Sequence, residues 1–134
     1  MKNLLFASVL LVGFIAVGSA CGVAAIDKDS LAGDWTGESI CMIHPSPCHD
    51  EHVIYHITEP DSAGKLQINA DKIVDGKPEF MGTLDCIFDK EHSVITCPMS
   101  QGLWEFTVNG LTMNGTLKLP DGKLYRKISV KKKA

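Results

Sequence analysis

The stretch WEFTVNGLTMNGTLKLPDGKLYRKISV, residues 104–130, decides the fold. Apolar residues recur at alternate positions on both sides of Asn109-Gly110 and again on both sides of Asp121-Gly122. A period of two is strand periodicity, because successive side chains on a pleated chain point to opposite faces. Asn-Gly is the favoured pair for a two-residue type I′ hairpin, whose central residues both need positive φ. Such a turn pairs Val108 with Leu111, Phe106 with Met113 and Trp104 with Gly115. Large apolar groups then share one face, and Glu105, Thr107, Thr112 and Asn114 share the other. The Asp121-Gly122 turn pairs Leu119 with Leu124, Leu117 with Arg126, Gly115 with Ile128 and Met113 with Val130. Arg126 is thereby expected to point inward.

Working outward, the same alternation recurs between turn signals along the chain, with no sustained helical period, repeat or low-complexity linker. It predicts eight strands: 33–42, 51–58, 65–70, 80–88, 93–98, 102–108, 111–119 and 123–130. A turn near Glu91-His92 sets Phe88 opposite Ile95, Cys86 opposite Cys97 and Leu84 opposite Met99. Directly opposed Cα atoms lie within disulfide range, so a Cys86–Cys97 bridge is expected. A tight Asp75-Gly76 turn sets Val74 opposite Lys77 and reverses the faces, which calls for a bulge near Lys72-Ile73. The class is all-β: a small eight-stranded antiparallel up-and-down barrel, which leaves no exposed edges, with a two-sheet β-sandwich as the alternative.

The ends of the chain speak to compartment. Lys2, the apolar run from Leu4 to Val17 and the small residues Gly18-Ser19-Ala20 have the layout of a secretory signal peptide over residues 1–20, with cleavage as late as residue 25. Gly18-Ser19-Ala20-Cys21 also resembles a lipobox with Gly18 in place of the usual Leu, which makes Cys21 a lipidation candidate. Residues 21–32 form a short N-terminal segment, residues 33–130 one barrel domain and residues 131–134 a basic tail. Of five Cys, removal or lipidation of Cys21 leaves Cys41, Cys48, Cys86 and Cys97, an even set that reads as two disulfides in an oxidising compartment. The second bridge is Cys41–Cys48, which closes the loop between the first two strands. The whole chain carries a net charge of −3, which disfavours nucleic acid as a partner. The expectation is an exported protein, periplasmic, secreted or lipid-anchored, and monomeric.

Gly33-Asp34-Trp35 opens the first strand and Arg126 points inward on the last. This resembles the lipocalin or calycin superfamily, whose signature is G-x-W on the first strand with an Arg or Lys of the last strand packed across that Trp. The resemblance implies a closed barrel in which Trp35 and Arg126 form a structural cation–π pair. In length the chain is closer to avidin-like barrels and to small secreted bacterial inhibitors of metalloproteases. It is also similar to exported bacterial proteins with a like Pro-Cys-His-Asp-Glu stretch, a likeness that brings no activity with it.

The most reactive-looking segment is PSPCHDEH, residues 45–52. A metal reading gathers His44, His49 and His52, with Asp50, around zinc or copper. Against it, His49 and His52 point to opposite faces of a strand, and an oxidised Cys48 offers no thiolate. The same oxidation removes Cys48 as a nucleophile, and adjacent Asp50 and Glu51 diverge rather than flank one bond. The segment therefore reads as a stiff polar loop in which Asp50 bonds to backbone amides. Asn114-Gly115-Thr116 fits a glycosylation triplet, relevant only to a eukaryotic secretory route.

Two functions remain open, and both are non-enzymatic and without a cofactor. The first is a barrel that binds a small apolar molecule in a pocket lined by Tyr55, Phe80, Leu84, Trp104, Phe106 and Met113, although the same side chains would fill a barrel this small. The second is a module that contacts a secreted protein, such as a protease inhibitor that inserts Gly22 to Ser30. The membrane enters only through a lipid on Cys21.

Overall fold

Alternating apolar side chains build eight strands in the computed structural model, which describes Gly18 and residues 30–134. The stretch read as a signal peptide, apart from Gly18, together with Cys21 and the segment up to residue 29, lies outside the described residues. The strands are β1 (Gly33–Cys41), β2 (Glu51–Ile57), β3 (Lys65–Val74), β4 (Lys77–Asp89), β5 (Val94–Met99), β6 (Gly102–Asn109), β7 (Thr112–Lys118) and β8 (Leu124–Lys132). Each pairs antiparallel with the next and β8 returns to β1, so the sheet closes into an up-and-down barrel.

Inward positions of the strands supply the core: Trp35, Val53, Tyr55, Ile57, Ile68, Ile95, Phe106, Met113, Ile128 and Val130 are all buried. Full burial of a side chain such as Phe or Ile contributes about 1.5–3 kcal/mol, so this filled interior is the main source of stability. Phe106 lies at its centre, edge-on to Tyr55 at 5.8 Å and stacked on Trp104 at 6.0 Å between ring centroids. Its ring occupies the space that a Cβ on Gly115, its cross-strand partner, would take.

Several registers match the turn chemistry and others depart from it. Met113↔Val130, Gly115↔Ile128 and Leu117↔Arg126 pair as expected, but a shift after Leu117 puts Lys118, not Leu119, opposite Leu124. Between β6 and β7 the expected pairs are displaced by two: Val108 meets Met113, Phe106 meets Gly115 and Trp104 meets Leu117. The reason is that Gly110, with φ 60°, takes the first central position of the turn and Leu111 the second, while Asn109 stays in the strand. This is a type II′ arrangement, and a displacement of two leaves every side chain on its expected face.

The β3–β4 hairpin is longer than expected, running to Val74 and resuming at Lys77. Asp75 and Gly76 both have positive φ, 50° and 77°, as a type I′ turn requires. The bulge falls a little earlier than expected and on the opposite strand: Ala70 pairs with Gly82 and Asp71 with Phe80, so Met81 has no partner.

Both disulfides form, Cys41–Cys48 with Cα atoms 5.9 Å apart and Cys86–Cys97 with Cα atoms 4.2 Å apart. Phe88 faces Ile95 as expected, yet the β4–β5 ladder holds only Ile87↔Thr96, Phe88↔Ile95 and Asp89↔Val94. The expected Leu84↔Met99 pair does not form. Beyond the bridge β4 stays with β3 while β5 stays with β6, and Pro98 has no N–H to offer.

Candidate functional site

The two ends of the barrel are built differently. At one end Leu31 is buried over the interior and its carbonyl accepts a hydrogen bond from Trp35 Nε1 at 3.0 Å. Ser30 Oγ donates to Glu59 at 2.8 Å, and Lys132 Nζ donates to the Ser30 carbonyl at 2.6 Å. The segment just before β1 thus closes this end.

The partnership expected between Trp35 and Arg126 is not made. Trp35 lies opposite Lys132, and Arg126 lies opposite Cys41, at the other end of β1. The stagger of a closed barrel sets which residue of the last strand faces the first, and local alternation does not encode that stagger. The residue of the last strand that faces Trp35 is thus Lys132, and β8 runs on through Lys131 and Lys132 into the stretch expected to be a tail. The guanidinium of Arg126 lies 5.8 Å from the ring of its neighbour Tyr125.

Arg126 instead organises the opposite end. Its side chain is only 11% exposed, and Nη1 donates to the Ser39 carbonyl at 3.3 Å and to Ser39 Oγ at 3.2 Å, with Glu51 Oε2 at 3.5 Å. Tyr55 lies beside the same cluster, close enough for the charges of Arg126 and Glu51 to act on its hydroxyl. Burial pushes its hydroxyl well above the ordinary phenol range, against the opposing pull of Arg126. Tyr55 therefore stays neutral.

Beside this cluster lies a cavity of about 240 Å³ lined by Ser39, Glu51, Tyr55, Ala70, Met81, Leu84, Met99 and Trp104, among others. Its lining runs from β1 to β6 at this end of the barrel and includes residues on both sides of the lapsed β4–β5 ladder, where it forms a slot. Trp104 Nε1 donates to Met99 Sδ at 3.1 Å within the β5–β6 hairpin, on one side of the slot. A thioether is a weak acceptor and Met a readily reshaped side chain, so this wall is adaptable.

Of the six residues expected to line a pocket, Tyr55, Leu84 and Trp104 do so. Phe106 and Met113 are fully buried in the core, and Phe80 is 65% exposed. The bulge accounts for Phe80, because it pairs that residue with outward-facing Asp71. Ser39 and Glu51 were legible by parity, each lying an even number of residues from Trp35 or Tyr55. Met99 was legible in the same way from Ile95 and Cys97, whereas Met81 was not, since its place depends on the bulge.

The histidine loop is engaged locally. Asp50 Oδ1 accepts from the Cys41 amide at 2.8 Å, as expected of a carboxylate bonded to backbone, and Ser46 Oγ accepts from the Cys48 amide at 2.9 Å. His44 Nε2 lies 3.1 Å from the Cys41 carbonyl, while His52 Nδ1 lies 2.7 Å from Glu38 on the outer face. His49 is exposed. Among the described residues, no group of three or more His, Cys, Asp or Glu is arranged to hold a metal. Asn114 is exposed on the outer face of β7.

A second histidine cluster was not anticipated. His56 Nδ1 and Nε2 lie 2.6 Å from Asp34 Oδ1 and 2.9 Å from Asp71 Oδ2, tying β1, β2 and β3 together on the outside. Both bonds need an N–H, so the ring makes both only as imidazolium. The hydrogen bond to Asp71, then that to Asp34, raises the His56 pKa above its ordinary value.

Fold and cavity together define a small, disulfide-stapled antiparallel β-barrel with a cavity at the end opposite Leu31, bordering the lapsed β4–β5 seam. No family model, curated protein or solved structure matches the chain.

Proposed function

We propose that this is an exported, non-enzymatic binding barrel of lipocalin-like form that takes an apolar group into the slot between β4 and β5. The observation that carries the reading is the coincidence of an apolar cavity with the lapse in the β4–β5 ladder. Leu84, Met81, Met99 and Trp104 supply the apolar walls, and Glu51 with Arg126 marks the polar side. Recognition sites commonly combine apolar lining with a few convergent polar groups. Two disulfides are compatible with an oxidising compartment.

The test is titration with the apolar dye N-phenyl-1-naphthylamine. Saturable fluorescence enhancement is expected, reduced at least tenfold by Leu84→Trp, which fills the cavity. A linear, unsaturable response identical in the variant overturns the reading. Contact with a secreted protein is favoured by a different observation: Val74, Phe80 and Met81 are exposed on the β3–β4 hairpin.

A further inference from the structure

The edge of β4 that borders the slot is unpaired. From Lys77 to Asp85, β4 pairs with β3 on one side only, and its ladder with β5 begins at Ile87. The tip of this edge is blunted, because Pro78 lacks an N–H and the bulge at Met81 bends the strand. Gly82 to Asp85, the portion beside the cavity, carries neither protection. Backbone groups aimed away from β3 there have no strand partner among the described residues.

Two hollows border this edge on opposite faces of the sheet, the inner one along Gly82 to Leu84 and the outer one at Asp85. The inner one is the 240 Å³ cavity, whose β4 wall is Met81, Gly82, Thr83 and Leu84. The outer one, about 550 Å³, is lined by Lys65, Gln67, Asp85, Ile87 and Pro98, among others. A strand laid against β4 sends successive side chains to alternate faces, so its residues would enter the two hollows in turn. The inner cavity is smaller than the roughly 300–1,000 Å³ usual for a drug-sized ligand and suits a single apolar side chain.

From this arrangement we infer that the occupant of the slot is an extended polypeptide segment of a partner, which adds a strand to Gly82–Asp85. It inserts an apolar side chain among Leu84, Met99 and Trp104 and presents the next, polar residue to the outer hollow, where Lys65 and Asp85 offer both charges. Main-chain hydrogen bonds to the edge supply affinity and the two hollows supply sequence preference, the logic of strand addition. This inference rests on the slot being a binding site.

The experiment measures fluorescence anisotropy of a labelled, end-blocked hexapeptide alternating leucine and threonine, with the full mature chain. Binding is expected, weakened at least tenfold by N-methylation of alternate peptide amides, which removes hydrogen bonds and keeps the side chains. Met99→Asp at the slot rim, exposed enough to spare the fold, is expected to weaken binding by a similar factor. Equal affinity for the methylated peptide overturns strand addition. If the dye binds and no peptide does, the inference falls while the slot remains a binding site; if neither binds, both fall. Sedimentation that shows a dimer from which the peptide is excluded assigns the edge to a second copy and likewise overturns it.

Discussion

Trp35 and Trp104 are the two tryptophans of the chain, and both stand at inward positions of their strands, yet their surroundings differ. Trp35 is buried at the closed end, in β1 ladders that are complete on both sides, and its N–H meets a backbone carbonyl. Trp104 is half-buried beside the lapsed seam, and its N–H meets a thioether. A carbonyl is a strong acceptor held rigidly by backbone, whereas a Met sulfur is weak and mobile. Whether an inward aromatic lies in the core or lines the cavity thus depends here on the ladder beside it.

The contrast is broken most directly by truncation. Trp35→Ala is expected to cost about 3–5 kcal/mol in urea denaturation, the usual range for emptying a core aromatic site. Trp104→Ala should cost less than half of that while still abolishing dye binding. Equal losses from the two would show that the slot is core after all.

Removing the Cys86–Cys97 bridge by a double Cys→Ala change tests the seam itself. The expected loss is about 2–4 kcal/mol, because the bridge continues a ladder of only three pairs. Hydrogen exchange should quicken in β4 and β5 before it does in β1. Uniform acceleration around the barrel would mean that the seam is no weaker than the rest.

Gly115→Ala probes the core between the two ends. The added methyl meets the Phe106 ring and the Glu105 carbonyl, and overpacking of this kind costs about 1–3 kcal/mol. A change below 0.5 kcal/mol, on the scale of ordinary surface substitutions, would show that Phe106 has room to shift.

The smallest effect concerns the outer tie near the closed end. Because the folded-state pKa of His56 is raised, its stabilisation is complete below the ordinary value of 6.5 and is lost as the pH rises through the higher folded value. The side chains of His56 and Asp34 are 41% and 46% exposed, so screening holds the contribution below about 1 kcal/mol. Relative to His56→Gln, the unaltered chain should lose its advantage on titration from pH 6 to pH 8. A pH-independent difference would mean that the imidazolium form carries no stability.

Because alternation and turn chemistry are local, which face each strand buries was legible in the sequence except at the tip of β4, where the bulge turns Phe80 outward. The Cys86–Cys97 bridge followed from the same reasoning, and Cys41–Cys48 from parity and proximity in the chain. What escaped is non-local. That Arg126 meets Ser39 and Glu51 rather than Trp35 depends on barrel stagger, a property of all eight strands together. That Leu84 and Met99 part company depends on β5 following β6, which no turn signal announces. The slot arises from these two facts, so its lining was only half visible.

The unpartnered Met81 carries one more consequence. The β3–β4 ladder closes over it, with Gly82 and Phe80 facing consecutive residues of β3, as though the chain were one residue shorter. Excising Met81 would therefore regularise the hairpin without turning any other side chain over, a change in chain length that is neutral for register and removes one wall of the cavity. In this barrel the outline of the cavity can be edited by deletion, independently of the pairing that holds the strands together.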